Sequence, residues 1–152
     1  MGNIFNEDFR DFISALNEAD VKYILVGGYS VILHGYSRTT GDMDIWVERS
    51  QANYKQIVIA FINFGMPVFD MTEDNFLNHS EWEVFTFGLP PASIDLMIKV
   101  KGLEFRECFD QALYFEESGI KIRTIHINNL LQAKRASGRP KDLDDLKNLK
   151  EL

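Results

Sequence analysis

Asp42 and Asp44 place two carboxylates one residue apart, in a stretch that continues as Ile45-Trp46-Val47. Read as a strand over 42–47, this segment turns Asp42 and Asp44 to one face and Met43, Ile45 and Val47 to the other. Two unit charges about 4 Å apart repel by about 4 kcal/mol at the effective dielectric of a protein surface. Such a pair binds metal, shares a proton or is well solvated. Upstream, the apolar run Tyr23-Ile24-Leu25-Val26 ends on Gly27-Gly28. Glycine lets backbone approach a ligand closely, and the start of a helix expected over 29–35 offers free N–H groups and a positive dipole end that suit phosphate. A third carboxylate, Asp95, interrupts the apolar run Ser93-Ile94-Asp95-Leu96-Met97-Ile98, and buried charges are usually paired or metal-bound. A plainer reading makes Gly27-Gly28 a tight turn from strand to helix and Asp42 a cap.

The elements that must position these groups can be read in order. Phe5, Phe9, Phe12, Ile13 and Leu16 recur at helical spacing and predict an amphipathic helix over 4–18. Strands follow at 23–26 and 42–47. Ser50 is a good N-cap for a helix over 51–64, with Tyr54, Ile57, Phe61 and Phe64 inward; Gly65 ends it and Pro67 prevents its return. Residues 66–80 lack a clean period, may be taken as a loop with a short helical turn that borders an acceptor pocket, and contain His79, read as solvent-exposed. Glu81–Gly88 reads as a strand, Leu89–Ala92 as a turn and Ser93–Val100 as its antiparallel partner. In that partner Ile94, Leu96, Ile98 and Val100 share a face, and Asp95 lies on the other with Met97 and Lys99. A short helix over 105–113, a hairpin through Ser118-Gly119, a helix capped by Asn129 with Gln132, and a last helix over 140–150 complete the chain. In that last helix Leu143, Leu146 and Leu149 share one side.

The chain has 152 residues, 45% of them hydrophobic, and a formal charge of -7. That size fits one domain, with a catalytic core over 1–128 and a C-terminal helical hairpin over 129–152. The acidity argues against binding nucleic-acid backbone, which needs a basic surface. A single cysteine, Cys108, permits no internal disulfide and is read as a small buried hydrophobe in a reducing cytoplasm. No signal peptide is visible at the N-terminus, and the longest apolar run in a helical stretch, Ile57–Ile62, is too short to span a bilayer.

The order hydrophobic-Gly-Gly, thirteen residues, Asp-x-Asp, then a later strand Asp resembles the signature of the DNA polymerase beta-like nucleotidyltransferases. The Arg38-Thr39-Thr40 before the aspartates, and the stretch from Lys134 through Arg139 to Asp145, resemble the minimal and lincosamide-modifying types. The resemblance implies an α/β (α+β) fold: a mixed, twisted sheet of about five strands with helices packed against it. It implies transfer of NMP from an NTP, ATP by default, to a hydroxyl of a small molecule or protein, with release of pyrophosphate. Asp42, Asp44 and Asp95 would hold two Mg²⁺ ions, with Asp95 as the base. Gly27, Gly28 and Ser30 would hold the β- and γ-phosphates, and Arg38 would offset charge on the leaving pyrophosphate. Tyr29 and Tyr36 border the base or belong to the core. Lys134 or Arg139 faces the triphosphate or lies on a solvated helix, and Asp142, Asp144 and Asp145 are read as solvated.

Two readings of another class follow from the same resemblance. The chain is an antitoxin- or toxin-type module acting through a partner protein or as a homodimer, or it binds NTP without catalysis.

Overall fold

The computed structural model describes residues 6–36, 40–88 and 93–150. The chain opens with helix α1 (Glu7–Glu18), capped by Asn6, whose side chain accepts from the Phe9 N–H at 2.8 Å. Its buried stripe is Phe9, Phe12, Ile13 and Leu16. Strand β1 (Tyr23–Val26) runs straight into α2 (Gly27–Leu33). The helix therefore starts on the glycine pair itself, two residues ahead of the expected Tyr29. Strand β2 (Met43–Val47) begins one residue after Asp42. Helix α3 (Gln51–Phe64) is capped by Ser50 and ends on Gly65 at φ 90, a left-handed residue whose N–H closes onto Phe61 and Ile62.

The stretch 66–80 holds a short helix, α4 (Glu73–Asn78), and the hairpin pair β3 (Val84–Phe87) and β4 (Ile94–Met97) follows. Then come α5 (Phe105–Gln111), β5 (Leu113–Glu117), β6 (Ile120–Thr124), α6 (Ile127–Ser137) and α7 (Pro140–Lys150). Helix α6 starts earlier than expected. His126, not Asn129, is its cap, accepting from the Asn128 N–H at 3.1 Å, and Asn129 lies inside the helix.

The described strands form one six-stranded sheet, β3-β4-β2-β1-β6-β5, where about five were expected. It is mixed: β1–β2, β3–β4 and β5–β6 are antiparallel, β2–β4 and β1–β6 parallel. Alternation along the strands splits the apolar residues into two cores. Leu25, Met43, Ile45, Val47, Ile94 and Leu96 pack on one face with α1 and α3. Ile24, Val26 and Trp46 pack on the other with Ile125, Cys108, Leu130 and Leu149. Val100, expected on the first face, packs on the second because β4 ends at Met97 and the alternation ends with it. Leu146 and Leu149 of α7 are buried, but Leu143 is 55% exposed.

Asn53, 3% exposed, ties the ends of β1 and β2 together. Its side chain accepts from the Lys22 N–H and donates to the carbonyls of Lys22 and Glu48. Among the described residues no helix is long and apolar enough to cross a membrane.

Candidate active site

Strand pairing brings the acidic residues together. Asp44 lies opposite Val26 of β1 on one side and Asp95 of β4 on the other, and Asp95 lies opposite Thr86 of β3. Residues in register share a face, so Thr86, Asp95 and Asp44 form a row across three strands. Asp42 precedes β2 on the same parity. The two outer carboxylates are each held by a hydroxyl: Ser93 Oγ donates to Asp42 Oδ1 at 2.7 Å, and Thr86 Oγ1 donates to Asp95 Oδ1 at 2.8 Å.

Asp44 is the crowded member. Burial first, then the charges of Asp95 and Asp42 and a hydrogen bond with Asp95, push its carboxyl from 3.8 up to about 7, with Lys141 opposing them. Gly27 explains part of that burial. It sits at φ +70, and a Cβ there would overlap the Asp44 carboxylate, lying 2.8 Å from its Cγ. Only glycine allows this approach. At Gly28 a Cβ would meet Thr40 Oγ1 at 2.5 Å.

A cavity of 220 Å³ opens on this face and is bordered by Gly27 and Asp44. Its floor is apolar, with Val26, Met97 and Ile125, and four cations reach it: Lys99, Lys101, Lys134 and Arg139. Lys134 is 7% exposed and pairs with Asp142 and Asp145, each at 3.2 Å. The expectation that Asp142 and Asp145 are solvated is corrected here: both are buried, at 0% and 2% exposure, around the Lys134 ammonium. Asp144 is exposed and accepts from the Tyr36 hydroxyl at 3.3 Å. Burial would raise the Asp142 carboxyl, but hydrogen bonds from Arg139, Ser137 and Lys134 hold it well below the usual carboxylate range. Arg139 donates from Nε to Asp142 at 2.7 Å and keeps 59% of its side chain exposed.

The remaining expected residues fall as follows. Ser30 is fully buried, and its hydroxyl donates to the Gly27 carbonyl at 2.6 Å, so it braces the turn. Arg38 lies outside the described residues. Tyr29 is a core residue, edge-on to Phe9 at 5.5 Å, and burial and then the charge of Asp42 raise its hydroxyl pKa. Tyr36 packs against the second core. His79 is solvent-facing and bonded to Asp74 and Glu81, apart from the carboxylate row.

Sequence reasoning missed Ser93 and Thr86. The one signal was positional: Ser93 sits two residues before Asp95, and a hydroxyl on a charged face is well placed to donate.

Oxygen-only ligands of this kind suit a hard divalent cation such as Mg²⁺. Among the described residues no three Asp, Glu, His or Cys side chains form a ready metal cage, because Asp42 and Asp95 are turned onto their hydroxyls. The raised pKa of Asp44 still marks excess negative charge that a cation would relieve, and in that sense the residues fit the ion.

A mixed sheet of this order, with Asp-x-Asp entering its β2 strand beside a strand-to-helix glycine pair, is the fold of a nucleotidyltransferase. The chain belongs to the family described as "Nucleotidyltransferase of unknown function (DUF6036)", whose model matches residues 7–150. Among curated proteins none matches the sequence. Among solved structures, it is similar to the lincosamide antibiotic adenylyltransferase LnuA in its lincomycin-bound form, with 17% identity, 98% of each chain covered and a TM-score of 0.60. It is similar to TM1012 from Thermotoga maritima at 17% identity, with 95% of this chain and 91% of that one covered and a TM-score of 0.57. JHP933 from Helicobacter pylori matches at 14% identity, over 95% of this chain and 64% of that one, with a TM-score of 0.52. At these identities the likeness is one of fold.

Proposed function

We propose that this nucleotidyltransferase moves NMP from an NTP, with ATP as the default donor, to a hydroxyl of a small molecule or protein, releasing pyrophosphate. The observation that supports it is the alignment of Asp44 with Asp95 beneath Gly27, at the wall of a cavity reached by four cations. Two Mg²⁺ ions held by Asp42, Asp44 and Asp95 would supply charge neutralisation on the triphosphate and a more acidic acceptor hydroxyl. Asp95 takes the acceptor proton as base, oriented by Thr86. Ser93 holds Asp42. The backbone at Gly27 and Gly28 lies against the phosphates, with Ser30 bracing the turn. Arg139 and Lys134 offset phosphate charge from the C-terminal side, and Arg38 adds to this.

The chain works as one domain, with 129–152 as a helical hairpin closing the cavity. It acts in the cytoplasm, where Cys108 stays reduced and buried. The acceptor hydroxyl of a partner protein would join the chain to a toxin–antitoxin pair.

Asp42→Asn and Asp44→Asn should each abolish transfer while leaving the circular dichroism spectrum unchanged. Labelled NTPs, Mg²⁺ and host lysate reveal which molecule the wild type labels, and undiminished labelling by either variant contradicts the proposal.

A further inference from the structure

The carboxylate row reaches to the edge of the sheet. β3 is the terminal strand, and among the described residues no strand pairs with its outer side. The Ile98 N–H donates to the Glu83 carbonyl at 3.0 Å, which sets the phase of the β3–β4 ladder. Phe85 and Phe87 therefore direct their backbone groups to β4, and Val84 and Thr86 direct theirs outward. Nothing among the described residues takes up those outward groups.

A groove of 130 Å³ follows this edge, walled by β3 itself, by Phe69 and Met71, and by Trp82. Edge strands usually carry charge or proline against unwanted pairing. The opposite edge, β5, ends in Glu116-Glu117, but β3 reads Val-Phe-Thr-Phe with neither. At the rim Phe69 is 65% exposed and held at φ 50, left-handed backbone that a bulky residue rarely adopts. Thr86 links the edge to the chemistry, since its hydroxyl donates to Asp95.

We propose that the free edge of β3 is the acceptor site, and that the acceptor is an extended segment of protein chain, added as a strand with a Ser, Thr or Tyr hydroxyl beside Asp95. This rests on the nucleotidyltransferase reading above. The outward N–H and C=O groups of Val84 and Thr86 match another backbone, the mode of strand addition. The groove is smaller than the pockets of about 300 Å³ and upward that enclose drug-sized molecules, but it takes alternate apolar side chains of a strand. Asp70 lines it, and Glu81 and Glu83 flank Trp82, so the segment carries Lys or Arg. In the transfer the acceptor oxygen bonds to the α-phosphorus of the NTP and the α–β bridging P–O bond breaks. Pyrophosphate leaves with the electron pair, and the hydroxyl proton passes to Asp95 and then to water.

The test incubates the full chain with labelled ATP, Mg²⁺ and synthetic peptides that alternate Val and Lys around one Ser, Thr or Tyr. A second set carries single backbone N-methyl groups, and sugars and simple alcohols serve as other acceptors. The expected result is peptide labelling that falls roughly fivefold or more for N-methylation at every second position, and changes little at the positions between. Val84→Pro removes an outward N–H and spares the ladder to β4, so it should lower peptide labelling similarly. Because that variant can misfold, the N-methyl set on the wild type carries the test independently. Absence of peptide labelling, or an N-methyl profile without the two-residue alternation, overturns the inference. Labelling of a sugar or alcohol in the same preparation then leaves the nucleotidyltransferase reading standing, whereas failure to bind ATP with Mg²⁺ in a calorimeter overturns both.

Discussion

Asp44 is pressed from above by Gly27 and meets a like charge across the ladder at Asp95. Its carboxyl consequently holds a proton up to about 7, whereas in an unfolded chain it ionises near 3.8. Between those values the folded state keeps a proton that the unfolded state has released. The stability linked to this group is full below the lower value and is lost as pH rises through the upper one. In metal-free protein we expect on the order of 2–4 kcal/mol to disappear over that span, and Asp44→Asn to flatten that part of the curve. Urea unfolding at stepped pH with a chelator measures it; an unchanged slope in the variant would count against this account of Asp44. The aspartates were legible in the sequence because alternation along one strand is local. Their hydroxyl partners were not, since the approach of Thr86 to Asp95 depends on register between strands.

At the scale of elements, the α6–α7 hairpin turns on Lys134. Two buried carboxylates surround its ammonium, and removing one partner of such a group strands the others without a counter-charge. Lys134→Ala should therefore cost about 3–5 kcal/mol, read as a lower urea midpoint, with faster amide exchange in α7 than in α1. A loss confined to catalysis would mean that the lysine serves only the ligand. This cluster escaped sequence reading for a physical reason. Asp142 and Asp145 look like ordinary solvated helix residues until a second helix is docked against them. The helices with clear caps and periods, α1 and α3, were legible nearly to the residue. The start of α6 was not, because His126 caps less conspicuously than Asn129.

Taken whole, the molecule gathers its acidic row from β2 and β4 and its cations from beyond β4 and from α6 and α7, so a ligand that bridges them should stabilise everything at once. With ATP and Mg²⁺ at about 100 times the dissociation constant, the native state gains about 2.7 kcal/mol, which for a chain of this size is roughly 5–10 °C in melting temperature. Scanning calorimetry should show that shift in the wild type and a smaller one in Asp42→Asn; equal shifts would separate nucleotide binding from the carboxylates. The parallel pairing of β2 with β4 carries one more consequence. Side chains repeat every two residues, so a slip of one position would swing Asp95 into the apolar core and bring Ile94 or Leu96 beside Asp44. The greasy neighbours of the catalytic aspartate thus enforce its parity: their hydrophobicity is what keeps an acid, and not an aliphatic group, facing the phosphate.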